Sequence, residues 1–287
     1  AALLRHSASG IVLGYSVTPL SAWFLMVLAL VVVPVAVYSM EYFAHAVDAP
    51  RTAMVGIAFT MLLGALEVVF VAGDAIAFLC AWQVMTLTTA ALVTTDHDVR
   101  ANRRAAYLYL VMSHVGTGAL IAAFLTLAAV SGSPSFSVLL SGHVVGGPVR
   151  DGLFVLFLFG FGVKAGIVPL HVWLPEAHPA APSSISALMS AVLITAGVYG
   201  LVRVCALGLG VPDARWGFAF MAVGTLSAVL GVLYSLTQTD LKRLLAYSTI
   251  ENVGIVVLAL GAGMVALALG HGELAGGAVA ASLRHLV

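Results

Sequence analysis

Between Leu20 and Leu269 the chain is a succession of apolar stretches, punctuated by short clusters of Gly, Pro, Asp and Arg. Each stretch is about twenty residues long, the length at which an α-helix rising 1.5 Å per residue crosses a hydrocarbon layer about 30 Å thick. Lipid offers backbone N–H and C=O groups no partner, so a segment of this length satisfies them only by forming a helix. Composition agrees, with 62% of the 287 residues hydrophobic and 8% charged, against about a quarter charged in soluble domains. The expected fold class is all-α, a polytopic membrane helix bundle. Twelve basic and twelve acidic residues cancel, which removes the electrostatic case for nucleic acid. The two cysteines, Cys80 and Cys205, lie in separate apolar runs. That is neither a disulfide framework nor a ligand spacing for haem or an iron–sulfur cluster.

Residues 1–19 are mixed in character and read as a loop or the tail of a preceding helix. Spans are expected over 20–40, where Pro34 is a candidate kink, and over 52–73, 75–95, 105–130, 152–170, 183–209, 216–236 and 244–270. These make about eight complete crossings by the twenty-residue criterion, and 273–287 opens another. Gly73-Asp74 reads as a tight turn, and the Ser/Gly/Pro-rich stretch Ser131 to Arg150 as a surface loop. A chain that starts at Ala1 and stops inside an apolar segment reads as a piece of a longer membrane protein. If the spans alternate, Arg51, Arg100, Arg103, Arg104, Lys242 and Arg243 fall on one side, with Arg5, Arg150 and Arg215 on the other. The first side is expected to be cytoplasmic.

The stretch Asp151 to Arg203 carries the most information. Lys164 sits in an apolar helix that is expected to break at Pro169, and four of the ten prolines lie between Pro169 and Pro182. Counted from Gly152, Lys164 lies about 18 Å along its helix, near mid-membrane, where an ammonium is costly and a functional role is the first hypothesis. The bland alternative is a snorkelling lysine, but its stem reaches only about 6 Å. Gly162 and Gly166, four apart, would let a neighbouring helix approach Lys164.

Other polar residues fall at comparable depth. Gln83 and His114 lie about 13 Å into their spans, Thr195 about 18 Å and Glu251 about 10 Å, so with Lys164 they would form a row suited to proton relay. Glu67 is either a further buried carboxylate or a residue facing the interface. His114 is equally readable as a packed, hydrogen-bonded histidine, and Glu251-Asn252 as a helix cap or interhelical hydrogen bond. A G-x-G-x-x-A pattern at Gly160 to Ala165 has no strand before it and is dismissed as a nucleotide motif. His171 and His178, seven apart with two prolines between, do not form a trustworthy metal spacing.

Two long motifs give a further reading. Gly162-Val-Lys164-Ala-Gly-Ile-Val-Pro169-Leu-His-Val-Trp173-Leu-Pro175-Glu176-Ala-His178-Pro-Ala-Ala-Pro182, followed by Ser186-Ala-Leu-Met-Ser190, resembles the antiporter-like proton-channel subunits of complex I and its relatives. The His-Pro-Ala-Ala-Pro wording and the run Asp240-Leu-Lys-Arg-Leu-Leu-Ala-Tyr-Ser-Thr-Ile-Glu251-Asn-Val-Gly254 are similar to the large membrane subunit of formate hydrogenlyase and type-four hydrogenases.

The resemblance implies a bundle of about fourteen helices with two inverted five-helix repeats, each containing a discontinuous helix marked here by Pro169 and Pro175. The first repeat would span about 52–209 and the second would begin at about 216. It also implies a multi-pass subunit of the cell's inner (plasma) membrane that binds no cofactor or metal and has no catalytic residues of its own. Its partners would be the bilayer, other membrane subunits and a hydrogenase-like or quinone-reducing peripheral arm. Lys164 would be the proton carrier, with His114, Thr195, Gln83, Glu251 and Glu67 as further candidates. Two departures matter: the family's Trp-Glu is here Trp82-Gln83, and Ser190 and Thr195 stand where many relatives carry a second lysine or a histidine. A multisubunit cation/proton antiporter subunit, and a structural subunit without transport, are the alternatives left open.

Overall fold

The computed structural model describes residues 2–6, 11–46, 49–142 and 145–286. Its helices follow the apolar stretches: α1 (Pro19–Ala46), α2 (Ala49–Val71), α3 (Ala75–Val93) and α4 (Arg100–Ser131) come first. The short α5 (Phe136–Leu139), α6 (Gly147–Ala165) and the short α7 (Leu174–Ala180) follow. One long span then runs as α8 (Ser183–Leu188), a π-helical turn (Met189–Leu193), α9 (Ile194–Gly200) and a second π-helical turn (Leu201–Ala206). The chain continues through α10 (Ala214–Ser235), α11 (Leu241–Ala268) and α12 (Gly272–His285). Among the described residues seven helical stretches are long and apolar enough to cross a membrane. The interrupted pair α6–α7, which carries Arg150, Asp151 and Lys164, is not among them.

Several sequence expectations are corrected. Ala2–His6 and Ile11–Gly14 pair as an antiparallel hairpin, not a loop or helix tail. Apolar alternation too short to mark a membrane span escapes a twenty-residue criterion. The stretch 131–150 is not simply a surface loop, because Phe136 and Leu139 are buried and Ser135 bridges to Asp74. The break in the discontinuous helix comes before Pro169. Helix α6 stops at Gly166, which has φ +74°, a conformation that costs glycine little.

The Gly73-Asp74 turn is a junction of three segments. Asp74 is buried; its Oδ1 accepts from Ala77 N and caps α3, while its Oδ2 accepts from Gly14 N, both at 2.8 Å. Gly73 C=O accepts from Phe136 N at 2.9 Å, bringing in the segment that holds α5. Asp74→Ala orphans two N–H groups and is expected to cost about 2 kcal/mol. Asp74→Asn recovers the cap alone, since its amide nitrogen cannot accept from Gly14. Thermal unfolding in detergent checks both, and an Asp74→Ala protein as stable as wild type contradicts the assignment.

Charged residues pair at the ends of the helices. Arg51 at the start of α2 pairs with Asp98 just before α4 at 2.5 Å and holds that carboxyl below the usual range, and Arg243 at the start of α11 pairs with Glu176. At the opposite ends Arg215 contacts Asp213 at 2.8 Å and Asp151 at 3.6 Å, and Arg150 lies over Trp216. Hydrogen bonds from Arg215 push the Asp213 carboxyl down to about 2, so this cap of α10 stays ionised at neutral pH.

Close helix crossings depend on small residues, as expected where lipid gives helices no hydrophobic drive to associate. Gly217, Gly224 and Gly231 of α10 meet Gly261, Gly254 and the backbone of Glu251 on α11. The pair expected beside Lys164 does something else: Gly162 faces Ile167 and Leu170 of its own break, and Gly166 ends the helix. The approach to α6 is made by Gly116 of α4, facing Gly160, and by Gly197 of α9, facing Ala165.

Candidate functional site

Lys164 lies in the last turn of α6 and is 2% exposed. It therefore stands at a helix C-terminus, just before the break, where unpaired carbonyls and the macrodipole favour a cation. Several of the ends left by the break find partners. Gly162 C=O accepts from Gly166 N and Ile167 N, and Val163 C=O accepts from the indole N–H of Trp173 at 2.8 Å. Val168 N donates to Ser227 Oγ of α10 at 2.9 Å, which ties the break to the next pair of helices. Irregular backbone is tolerated at membrane depth where protein supplies such partners.

The ammonium donates to Thr86 Oγ1 of α3 at 3.0 Å and to Tyr109 Oη of α4 at 2.8 Å. It also lies 4.9 Å from the centre of the Tyr109 ring and 5.7 Å from that of Trp82, and the Tyr109 ring packs edge-on against Trp173. Among the described residues Lys164 forms no ion pair. It is held by hydroxyls and aromatic faces, which stabilise an ammonium less than a carboxylate does.

The proposed row of polar residues does not form one hydrogen-bonded chain with Lys164. Gln83 and His114 do meet, Nε2 to Nε2 at 2.8 Å, with His114 Nδ1 at 2.8 Å from Leu110 C=O, but on an outward side of α3 and α4. They line a groove of about 470 Å³ with Cys80, Thr117 and Gly118. Gln83 Oε1 is buried and has no partner among the described residues, a state that costs about 1–3 kcal/mol. Thr195 donates back to Ala191 and Val192 of its own helix. Glu251 is half-buried against Gly231, and Glu67 is exposed on α2. Glu67 thus takes the outward-facing of its two readings.

The structure adds Thr86 and Tyr109, which sequence reasoning passed over, and gathers others that it had read separately. Thr86 and Tyr109 look like any hydroxyl-bearing residue of a span, and only the tertiary crossing brings them to Lys164. A cavity of about 570 Å³ between α7–α8 and α11 is lined by His178, Ser186, Ser190, Lys242, Thr249 and Asn252, among others. In it His178 Nδ1 meets Ser186 Oγ at 3.0 Å, Ser190 Oγ meets Thr249 Oγ1 at 2.7 Å, and Lys242 donates to Ala181 C=O at 2.7 Å. His178 Nε2 is buried without a partner among the described residues. The spacing of Ser186, Ser190 and the Ser248-Thr249-Asn252 cluster, three or four apart on their helices, was the available signal. Arg203, half-buried, donates to Tyr199 Oη at 2.6 Å and to Ala72 C=O at 3.0 Å, while Tyr199 donates to Phe70 C=O. It caps the end of α2 from across the bundle.

Residues 72–282 match the family described as NADH:quinone oxidoreductase/Mrp antiporter, TM. The chain belongs to this family. Hydrogenase-4 component B of Escherichia coli (strain K12) is 40% identical over 254 residues, covering 87% of this chain and 37% of that protein. Formate hydrogenlyase subunit 3 of the same organism is 31% identical over 271 residues, covering 94% of this chain and 42% of that protein. Among solved structures, a chain of the membrane-bound sulfane sulfur reductase, an archaeal respiratory membrane complex, has a TM-score of 0.75 and 29% identity over 98% of this chain and 47% of that one. The chain thus spans about two fifths of the length of these curated relatives. Family membership makes it a multi-pass membrane protein of antiporter-like fold, as the apolar spans and the interrupted helix indicated.

Proposed function

We propose that this chain is the proton-carrying part of a proton-translocating membrane subunit in a complex I-like, hydrogenase-linked respiratory assembly of the cell's inner membrane. Lys164 takes up and releases the proton. The observation that carries this reading is the buried ammonium at the helix break, held by Thr86 and Tyr109 without a counter-carboxylate among the described residues. The names of the two E. coli relatives support a hydrogenase linkage. Electron transfer takes place on a hydrogenase-like or quinone-reducing peripheral arm, and other membrane subunits complete the assembly.

In this reading residues of about 52–209 form one repeat and α10–α12 begin the second, meeting at the Ser227–Val168 hydrogen bond. The hydroxyl-lined cavity at His178 is the polar approach to the break from the side carrying Lys242 and Arg243. Thr195, turned back on its own helix, and Glu67, on the outer face, take no part in the path. Glu251 stays half-buried beside α10 and contributes polarity only.

The test is proton uptake by vesicles carrying the full-length protein in its complex, at matched assembly and matched electron-transfer rate. Lys164→Ala is expected to lower uptake at least about tenfold, the scale of losing one general acid–base group. Unchanged uptake in the variant overturns the assignment.

A further inference from the structure

We infer that Gln83 and His114 form a second proton-holding station on the outward side of α3 and α4, in which the histidine takes and releases the proton and the amide follows it. The inference rests on the reading of Lys164 above and adds a lateral step to it. A carbonyl oxygen only accepts, so His114 Nδ1, 2.8 Å from Leu110 C=O, carries hydrogen in either charge state. Exchange is therefore confined to Nε2, which lies 2.8 Å from Gln83 Nε2.

When the ring is neutral, Nε2 offers a lone pair and accepts from the amide N–H. When the ring takes a proton, Nε2–H donates, and a half-turn of the amide brings Oε1 to accept it. The two side chains keep one hydrogen bond between them in both states. An ionised glutamate at position 83 has no hydrogen to give the neutral ring. Gln83 Oε1 is buried with no partner among the described residues, so the half-turn breaks no hydrogen bond at that end. The proton arrives at Nε2 from water entering the groove and returns from the same atom to that water; no other bond changes.

Placement fits a lateral station. Gln83 is three residues from Thr86 and His114 five from Tyr109, so the pair lies within about two helical turns of the acceptors of Lys164. The groove is lined by α3 and α4, and among the described residues Cys80 is the only other titratable side chain on its walls. Thr117, also on its wall, has its hydroxyl committed to Ser113 C=O at 2.8 Å. His114 is thus the group on this face with a ring nitrogen turned to the groove that can gain and lose a proton.

The experiment uses the full-length protein in its native complex, reconstituted in vesicles, and measures protons taken up per electron transferred. His114→Gln keeps an amide partner for Gln83 but cannot titrate; it is expected to bring uptake below half of wild type. Gln83→Leu is expected to do the same, and Gln83→Glu, which can still accept from the charged ring, to restore uptake above half. Where His114→Gln does not assemble, His114→Asn is read on the same threshold. Uptake at or above half of wild type in the assembled histidine variant overturns the inference, as does a Gln83→Glu protein no better than Gln83→Leu. Lys164→Ala in the same preparation separates the two failures: loss of uptake there with normal uptake in His114→Gln leaves the lysine reading intact and removes only the lateral station.

Discussion

Gly197→Val is expected to leave little or no assembled protein. A Cβ at this position would stand 2.5 Å from Ala165 N, 2.9 Å from Ala165 Cα and 2.9 Å from Phe161 C=O. All three are backbone atoms of α6, so no side-chain rotation relieves the clash, and valine adds two more methyl groups. Overpacking of this kind costs about 3 kcal/mol or more, a large share of a total stability of about 5–15 kcal/mol. The displaced residue is the neighbour of Lys164, so any protein that does fold carries its ammonium away from Thr86 and Tyr109. Gly64→Val is the control, because nothing lies within 4 Å of a Cβ there; its yield and thermal midpoint are expected to stay close to wild type. Equal yields of the two variants would mean that α9 does not press on α6 at the break.

The same crossing shows which parts of the molecule were legible in the sequence. The placement and order of seven long spans were readable because each helix must satisfy its own backbone in lipid, a local demand that the apolar stretches record directly. Lys164 was readable because a charge in such a stretch is conspicuous. The position of the break was misread by a few residues: Pro169 draws the eye, yet the helix ends at Gly166 because a glycine with positive φ allows two N–H groups to close on Gly162 C=O. Pro175 in turn starts α7 instead of ending anything.

The partners of Lys164 were not legible for a different reason. Depth along a span can be counted from the sequence, but the direction a residue faces is lost when hydrophobicity is uniform around the helix, since the 3.6-residue pattern then has nothing to distinguish. Gln83 and His114 share a level and do meet, but on the side away from Lys164. Thr86 and Tyr109 carry the inward direction with no sequence signal of their own. The π-helical turns at Met189–Leu193 and Leu201–Ala206, which flank Gly197 and Gly200, are equally silent in the sequence. They arise from tertiary packing and, as is common for such turns, lie beside the candidate site.

Removing both acceptors together, Thr86→Val with Tyr109→Phe, is expected to bring proton uptake down about a hundredfold at matched assembly. Each change deletes one oxygen and little volume, so aromatic and aliphatic packing around the break is largely kept. The charged form of Lys164 then loses both hydrogen bonds that hold it. Breaking the partners of a buried charge costs about 3–5 kcal/mol, and about 1.4 kcal/mol is a factor of ten. The ring face of Trp82 remains near the amine but offers a weaker, directionless attraction. The single variants are expected to fall only severalfold, because either hydroxyl alone still accepts one hydrogen bond. The double variant should therefore be worse than the product of the two singles, the signature of groups sharing one partner. A double variant that retains half of wild-type uptake would show that the hydroxyls do not hold the transported charge. A purely multiplicative pair would show that they act on it independently, through the fold and not through a shared ammonium.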